Sequence, residues 1–176
     1  MSIFQRVKKW YALFKNPVDY WRSKGAVIGK GCEIYPTTAL GSEPYLVQIG
    51  DNVRLSGGVK ITTHDGGVWV LRHLKEEYKD IDILNAVKIG SNVHVGTDVT
   101  IMPGVTIGSN VIIGCGAVVT KDIPDNSIAV GVPARVIQTI EEYEKKHKND
   151  FVPTKGMTGA QKREYIQKNL KNNYEE

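Results

Sequence analysis

Four histidines are the side chains in this sequence best suited to exchanging a proton near neutral pH. One of them, His64, stands in the segment KITTHDGG, residues 60–67, where a regular pattern running on either side breaks off. An imidazole there can take a proton from a weak nucleophile if a carboxylate holds one ring nitrogen and leaves the other free. Two carboxylates are placed to hold it, namely Asp65, next in the chain, and Glu43, which chain geometry brings beneath it. His73 and His94 have plainer readings as loop and wall residues. The two cysteines, Cys32 and Cys115, have no CxxC or Cys/His partner at zinc spacing, so they read as small hydrophobes and no metal site is expected.

The element that must position His64 is a repeat. From Ile89 the chain reads IGSNVH, VGTDVT, IMPGVT, IGSNVI, IGCGAV, VTKDIP, with an aliphatic residue opening each hexad. The same register occurs at Ile49, Leu55 and Ile61, and at Ile28, Ile34 and Leu40. A period of six is neither helical nor a two-residue alternation. It describes a short strand and a turn per hexad, three of which close a triangular coil of eighteen residues. Coils then stack at about 4.8 Å, with the aliphatics forming ladders inside and Gly or Asn at the corners. In-register aliphatics followed by Gly would break helices, which excludes an all-helical reading. Leu40 is the counterpart of Ile61 one coil below, so Glu43 is the counterpart of His64. Stacked corners would put the two about 5 Å apart. The segment SEPYLVQ is itself an insertion able to carry Glu43 away, so Glu43 and Asp65 both stand as orienters.

The hexads, followed by GCGAVVTKDIPDNSIAVGVPARVI, closely resemble the hexapeptide-repeat acyltransferases, and among them the sugar and capsular-polysaccharide O-acetyltransferases. The resemblance covers about residues 28–140. It implies an all-β fold, a left-handed parallel β-helix of about four to five coils with short terminal helices, assembled as a homotrimer with active sites between subunits. The handedness comes from the resemblance alone. The implied activity is acetyl transfer from acetyl-CoA to a hydroxyl of a sugar or surface-polysaccharide precursor, with His64 as general base and no metal.

The resemblance also implies a cofactor groove, with Gly96, Thr97, Gly114, Cys115 and Thr120 along the pantetheine arm and Lys121 and Arg135 at the nucleotide phosphates. Gln138 departs from the basic residue that relatives often carry there. The excursion after His64, residues 65–88, would wall the cleft, with Trp69, Arg72 and Asp65 facing the acceptor. For Trp69 and Arg72, pinning the loop to a neighbouring subunit is an equally good reading. Alternatives within the fold are N-acetylation of a nucleotide-linked amino sugar, acetylation of a streptogramin-like drug, and a non-catalytic scaffold. A β-helical zinc carbonic anhydrase would need three converging histidines, whereas His64 and His94 fall on different sides.

Hydrophobic content of 41% and charge of 24% are ordinary for a globular chain, and no basic stripe crosses the repeats, which argues against nucleic acid. No apolar run is long enough to cross a membrane, and the N-terminus lacks a signal peptide's apolar centre. The expectation is a cytoplasmic protein, peripheral at most to the inner membrane face. Residues 1–24 read as an N-terminal helical cap, 25–136 as the β-helix and 137–176 as a helical tail, with helix to His147 and a capping box at Thr158. Ile3, Val7, Trp10, Tyr11 and Phe14 share one helix face over residues 3–15, opposite Arg6, Lys8, Lys9 and Lys15. That helix either caps the open end of the solenoid or touches an anionic membrane weakly.

Overall fold

The computed structural model describes residues 3–169. Residues 1–2 of the expected cap, residues 170–176 of the expected tail, and the side chains of Arg6 and Lys9 lie outside the described residues. Two compact units are present, Met1–Glu142 and Tyr143–Glu176.

The first unit is a parallel coil with three faces. One face stacks Val27–Ile28, Val47–Ile49, Val87–Ile89 and Thr106–Ile107. The next stacks Glu33–Ile34, Arg54–Leu55, Val93–Val95, Val111–Ile113 and Ser127–Val130. The third stacks Lys60–Ile61, Thr100–Ile101 and Val118–Val119, and Ala39 bridges to Lys60 beneath them. The register follows the hexads: Ile28 pairs with Ile49, Ile49 with Ile89, and Ile89 with Ile107, while Leu55 pairs with Val95 and Ile61 with Ile101. These strands are too short to be stable singly. Stacking stabilises them, because Leu40, Leu55, Ile61, Ile101 and Ile113 are completely buried or nearly so, each burial contributing about 1.5–3 kcal/mol.

The corners are built for the backbone they carry. Asn52, Asn92, Asn110 and Asn126 occupy one column with φ of 56–57°, a left-handed conformation that Asn tolerates better than most residues. Their amides form a ladder, Asn92 Nδ2 donating to Asn110 Oδ1 and Asn110 Nδ2 to Asn126 Oδ1, each at 2.8 Å.

The lower end of the coil is closed mainly by a second short helix, Pro17–Ser23, N-capped by Asn16. Its Trp21 joins the core with Leu13, and Val18 and Tyr20 pack against it. The preceding helix, Ile3–Lys15, has Leu13 as its one buried residue among those described. At the upper end the chain doubles back as an antiparallel strand, Arg135–Thr139, where helix was expected directly after Ile137. This strand covers the last parallel edge, satisfying hydrogen bonds that a free edge would leave open. The helix Ile140–His147 follows. In the second unit, Gly159–Asn169 is helical, and Thr158 and Gln161 form the expected reciprocal cap.

Candidate active site

Thr63 and His64 leave the third face at its corner, and the excursion returns beside them. Asn85 N donates to Thr63 O at 2.9 Å, Asp65 N donates to Ile83 O at 3.0 Å, and His64 bridges Leu84 in antiparallel fashion. The base of the excursion is therefore zipped, which fixes the backbone on both sides of the imidazole. Beyond it lie the helix Val68–Leu74 and a 3-10 turn, Glu76–Tyr78.

Glu43 comes from the corner one coil below. The insertion after it is a 3-10 turn, Pro44–Leu46, closed by Leu46 N donating to Glu43 O, and it returns the chain to the face at Val47. The carboxylate reaches the imidazole, with Glu43 Oε2 lying 3.3 Å from His64 Nδ1. A carboxylate can only accept, so the contact calls for a hydrogen on Nδ1, and in the neutral ring that leaves the lone pair on Nε2. Ser42 Oγ lies 3.1 Å from the same Nδ1. Thr63, completely buried, donates its hydroxyl to Glu43 Oε2 at 2.6 Å. That bond, and then the Ser42 hydroxyl and the imidazole, hold the Glu43 carboxyl below its ordinary range, although burial acts the other way. The Glu43 side chain is 20% exposed and that of His64 46%, so the carboxylate is sheltered while the ring meets solvent.

His64 and Glu43 line a cleft of about 510 Å³ together with Asp65, Trp69 and Arg72. Asp65 is turned to its own loop, its Oδ1 accepting from Gly67 N at 2.8 Å. Trp69 is 65% exposed and tilts against His73, a ring face available for stacking. Arg72 gives its guanidinium to Ile81 O and pairs with Asp82, so it ties the excursion to itself. Ser42 and Thr63 are the site residues that sequence reasoning missed. Their signal was faint: Ser42 directly precedes Glu43, Thr63 directly precedes His64, and both pairs share the same offset between coils.

The residues expected along the cofactor fall in two places. Ile61 pairs with Ile101 and Ile101 with Val119, so Thr120 and Lys121 stand in the corner column of His64, two coils above. Gly96 and Thr97, and Gly114 and Cys115, occupy the preceding corner, stacked through Thr97 O and Gly116 N at 2.8 Å. Thr97, Cys115, Thr120 and Lys121 are exposed. Coil stacking by itself requires glycine at 96, because a Cβ there would lie 2.7 Å from Cys115 N. Arg135 is exposed on the terminal strand. His94 lies on the second face, where burial, and then the Arg54 charge, push its pKa down. Among the described residues, no three His, Cys, Asp or Glu gather as a metal site.

Residues 86–121 match the family described as bacterial transferase hexapeptide (six repeats). The chain is 44% identical to protein CapG of Staphylococcus aureus over 157 residues, covering 88% of this chain and 90% of that protein. It is 43% identical to galactoside O-acetyltransferase of Escherichia coli over 106 residues, 60% of this chain but only 50% of that protein. Among solved structures, galactoside acetyltransferase in complex with coenzyme A superposes with a TM-score of 0.59 at 28% identity, covering 81% of this chain and 82% of that one.

Proposed function

The chain belongs to the bacterial hexapeptide-repeat transferases, and from that premise we propose that it moves acetyl from acetyl-CoA to a hydroxyl of a sugar or surface-polysaccharide precursor. Its fold is the left-handed parallel β-helix of that family. The observation carrying the reading is the His64 imidazole, held through Nδ1 by Glu43 in a cleft bordered by an exposed tryptophan. The likeness to proteins named for galactoside acetylation, one of them holding coenzyme A, supports the acyl donor and the class of acceptor.

In this reading His64 Nε2 takes the acceptor's hydroxyl proton as the oxygen attacks the thioester carbonyl. The new C–O bond forms, the C–S bond breaks, and His64 returns the proton to the leaving sulfur. A base so placed contributes about 10²–10⁴-fold. Glu43 stabilises the transient imidazolium and keeps the ring in one tautomer. Trp69 offers its face to the sugar, and Asp65 shapes the loop beside it. Arg72 holds the excursion in position.

The cofactor residues fit a long anionic ligand: small exposed side chains at Thr97, Cys115 and Thr120, and cations at Lys121 and Arg135 to meet phosphates. On one chain these small residues face two different corners. A second copy that set its His64 corner against the Thr97 and Cys115 corner of the first would unite them in one groove. Such a head-to-tail contact can repeat into a closed ring, and a three-sided coil suits a ring of three, a homotrimer with sites between subunits.

Purified protein offered acetyl-CoA with hydroxyl sugars and, separately, nucleotide-linked amino sugars tests the reading through release of free CoA thiol. Turnover is expected with the hydroxyl acceptors. His64→Ala is expected to lose about 10²-fold or more of it while still binding CoA. Thiol release with amino sugars alone, or undiminished turnover in the variant, overturns the proposal.

A further inference from the structure

The helix Ile3–Lys15 carries a surface that the other described residues leave exposed. Ile3, Val7, Trp10, Tyr11 and Phe14 are 57–80% exposed, although they are five of the most apolar side chains in the segment. At about 100° per residue they fall within about 100° of arc, one continuous stripe. Trp10 and Phe14 stack on each other at 5.7 Å, and Lys15 Nζ lies 5.9 Å from the centre of the Tyr11 ring. Lys8 and Lys15, both exposed, border the stripe along one side. Leu13, the residue that fixes the helix to the core, falls on a different side, so docking the helix leaves the stripe outward.

Charge indicates what fits against it. Residues 1–15 hold four of the 23 Lys and Arg of the chain and none of the 19 Asp and Glu. The net charge of the whole chain is +4, so everything outside this segment is neutral in sum. A second copy of the chain would bring an equally basic helix or a remainder whose charges cancel in sum, so it offers the segment no net attraction. An anionic lipid surface does: it accepts aromatic and aliphatic side chains at the depth of its headgroups and attracts the flanking cations. A helix of 13 residues is about 20 Å long, too short to span a bilayer, and would lie in the plane of the interface.

We propose that Ile3–Lys15 is an interfacial anchor that binds anionic lipid through the Ile3, Val7, Trp10, Tyr11 and Phe14 stripe and its flanking lysines. The proposal does not depend on acetyl transfer, and its test uses no activity measurement. The full chain is sedimented with vesicles of phosphatidylcholine alone and of phosphatidylcholine with about 30% phosphatidylglycerol, in low salt. Binding to the anionic vesicles is expected to be about tenfold tighter or more. Trp10→Ala/Phe14→Ala is expected to lose it, with an unchanged circular dichroism spectrum because both rings are exposed. Lys8→Glu/Lys15→Glu is expected to weaken it by about an order of magnitude relative to wild type and to leave little salt dependence. Equal sedimentation with both vesicles, or variants that bind like wild type, overturns the proposal. So does a Trp10→Ala/Phe14→Ala protein whose molecular mass in light scattering falls, since the stripe would then belong to a contact between copies.

Discussion

Replacing Thr63 with valine tests whether the imidazole is governed through a buried hydroxyl. The substitution keeps the side chain's shape and removes one donor, the hydroxyl that lies 2.6 Å from Glu43 Oε2. A hydrogen bond to a charged group is worth about 1.5–3 kcal/mol. The Glu43 side chain is 20% exposed, so water recovers part of the loss, and a destabilisation of about 1.5 kcal/mol is expected at neutral pH. The pH dependence separates this from simple misfit. Thr63 and its neighbours hold the Glu43 carboxyl below its unfolded value, so their stabilisation is complete above the ordinary carboxylate range. It is lost as pH falls through the lowered folded pKa. The gap between wild type and Thr63→Val in urea unfolding should therefore be widest near neutrality and narrow in acid. Turnover at neutral pH should fall about tenfold at unchanged KM for acetyl-CoA, because Glu43 loses its second fixed contact while the groove is untouched. Thr63→Ser should restore most of both. A gap that persists unchanged in acid, or unaltered turnover, refutes the coupling of Thr63 through Glu43 to His64.

Two further substitutions, each set against a comparison variant, test the coil itself by chemical denaturation. Gly96→Ala should destabilise by about 1–3 kcal/mol, because its Cβ would lie 2.7 Å from Cys115 N and 2.9 Å from Cys115 Cα, both backbone atoms, whereas Gly66→Ala, with nothing within 4 Å, should leave the midpoint unmoved apart from local backbone preference. Asn110→Ala should cost about 2–3 kcal/mol by placing alanine at φ 56° and removing two ladder bonds, while Asn110→Gly should cost clearly less because glycine adopts that backbone freely.

The hexad register was readable because each opening aliphatic is both a local and a global requirement: Ile49, Ile89 and Ile107 pair as their positions in the repeat demand. His64 was readable because it stands where that register stops. The position of the Glu43 carboxylate was only half readable. Counting coils gives its corner, but whether SEPYLVQ carries it off depends on how Pro44–Leu46 folds, which no period encodes. Thr63 was hidden for a different reason. A small residue turned inward looks the same in sequence whether its hydroxyl is idle or holds a carboxylate. Arg72 shows the opposite difficulty, since a guanidinium suited to a phosphate or sugar proves to be occupied by Ile81 and Asp82 of its own loop. At the amino end, spacing revealed the stripe from Ile3 to Phe14 but not that Pro17–Ser23, through Trp21, does most of the closing of the coil.

The ladder of Ile61, Ile101 and Val119 has an implication for how such proteins diversify. Ile101 meets Val119 eighteen positions on, yet Ile61 meets Ile101 forty positions on, with the same parallel pairing. The surplus of twenty-two residues leaves and re-enters at one place, tied at its neck by Thr63 and Asn85, and costs the scaffold no register. A descendant gene could exchange, shorten or lengthen that cassette, and with it one wall of the cleft beside His64, while the stacked coils and the His64–Glu43 corner remain as inherited.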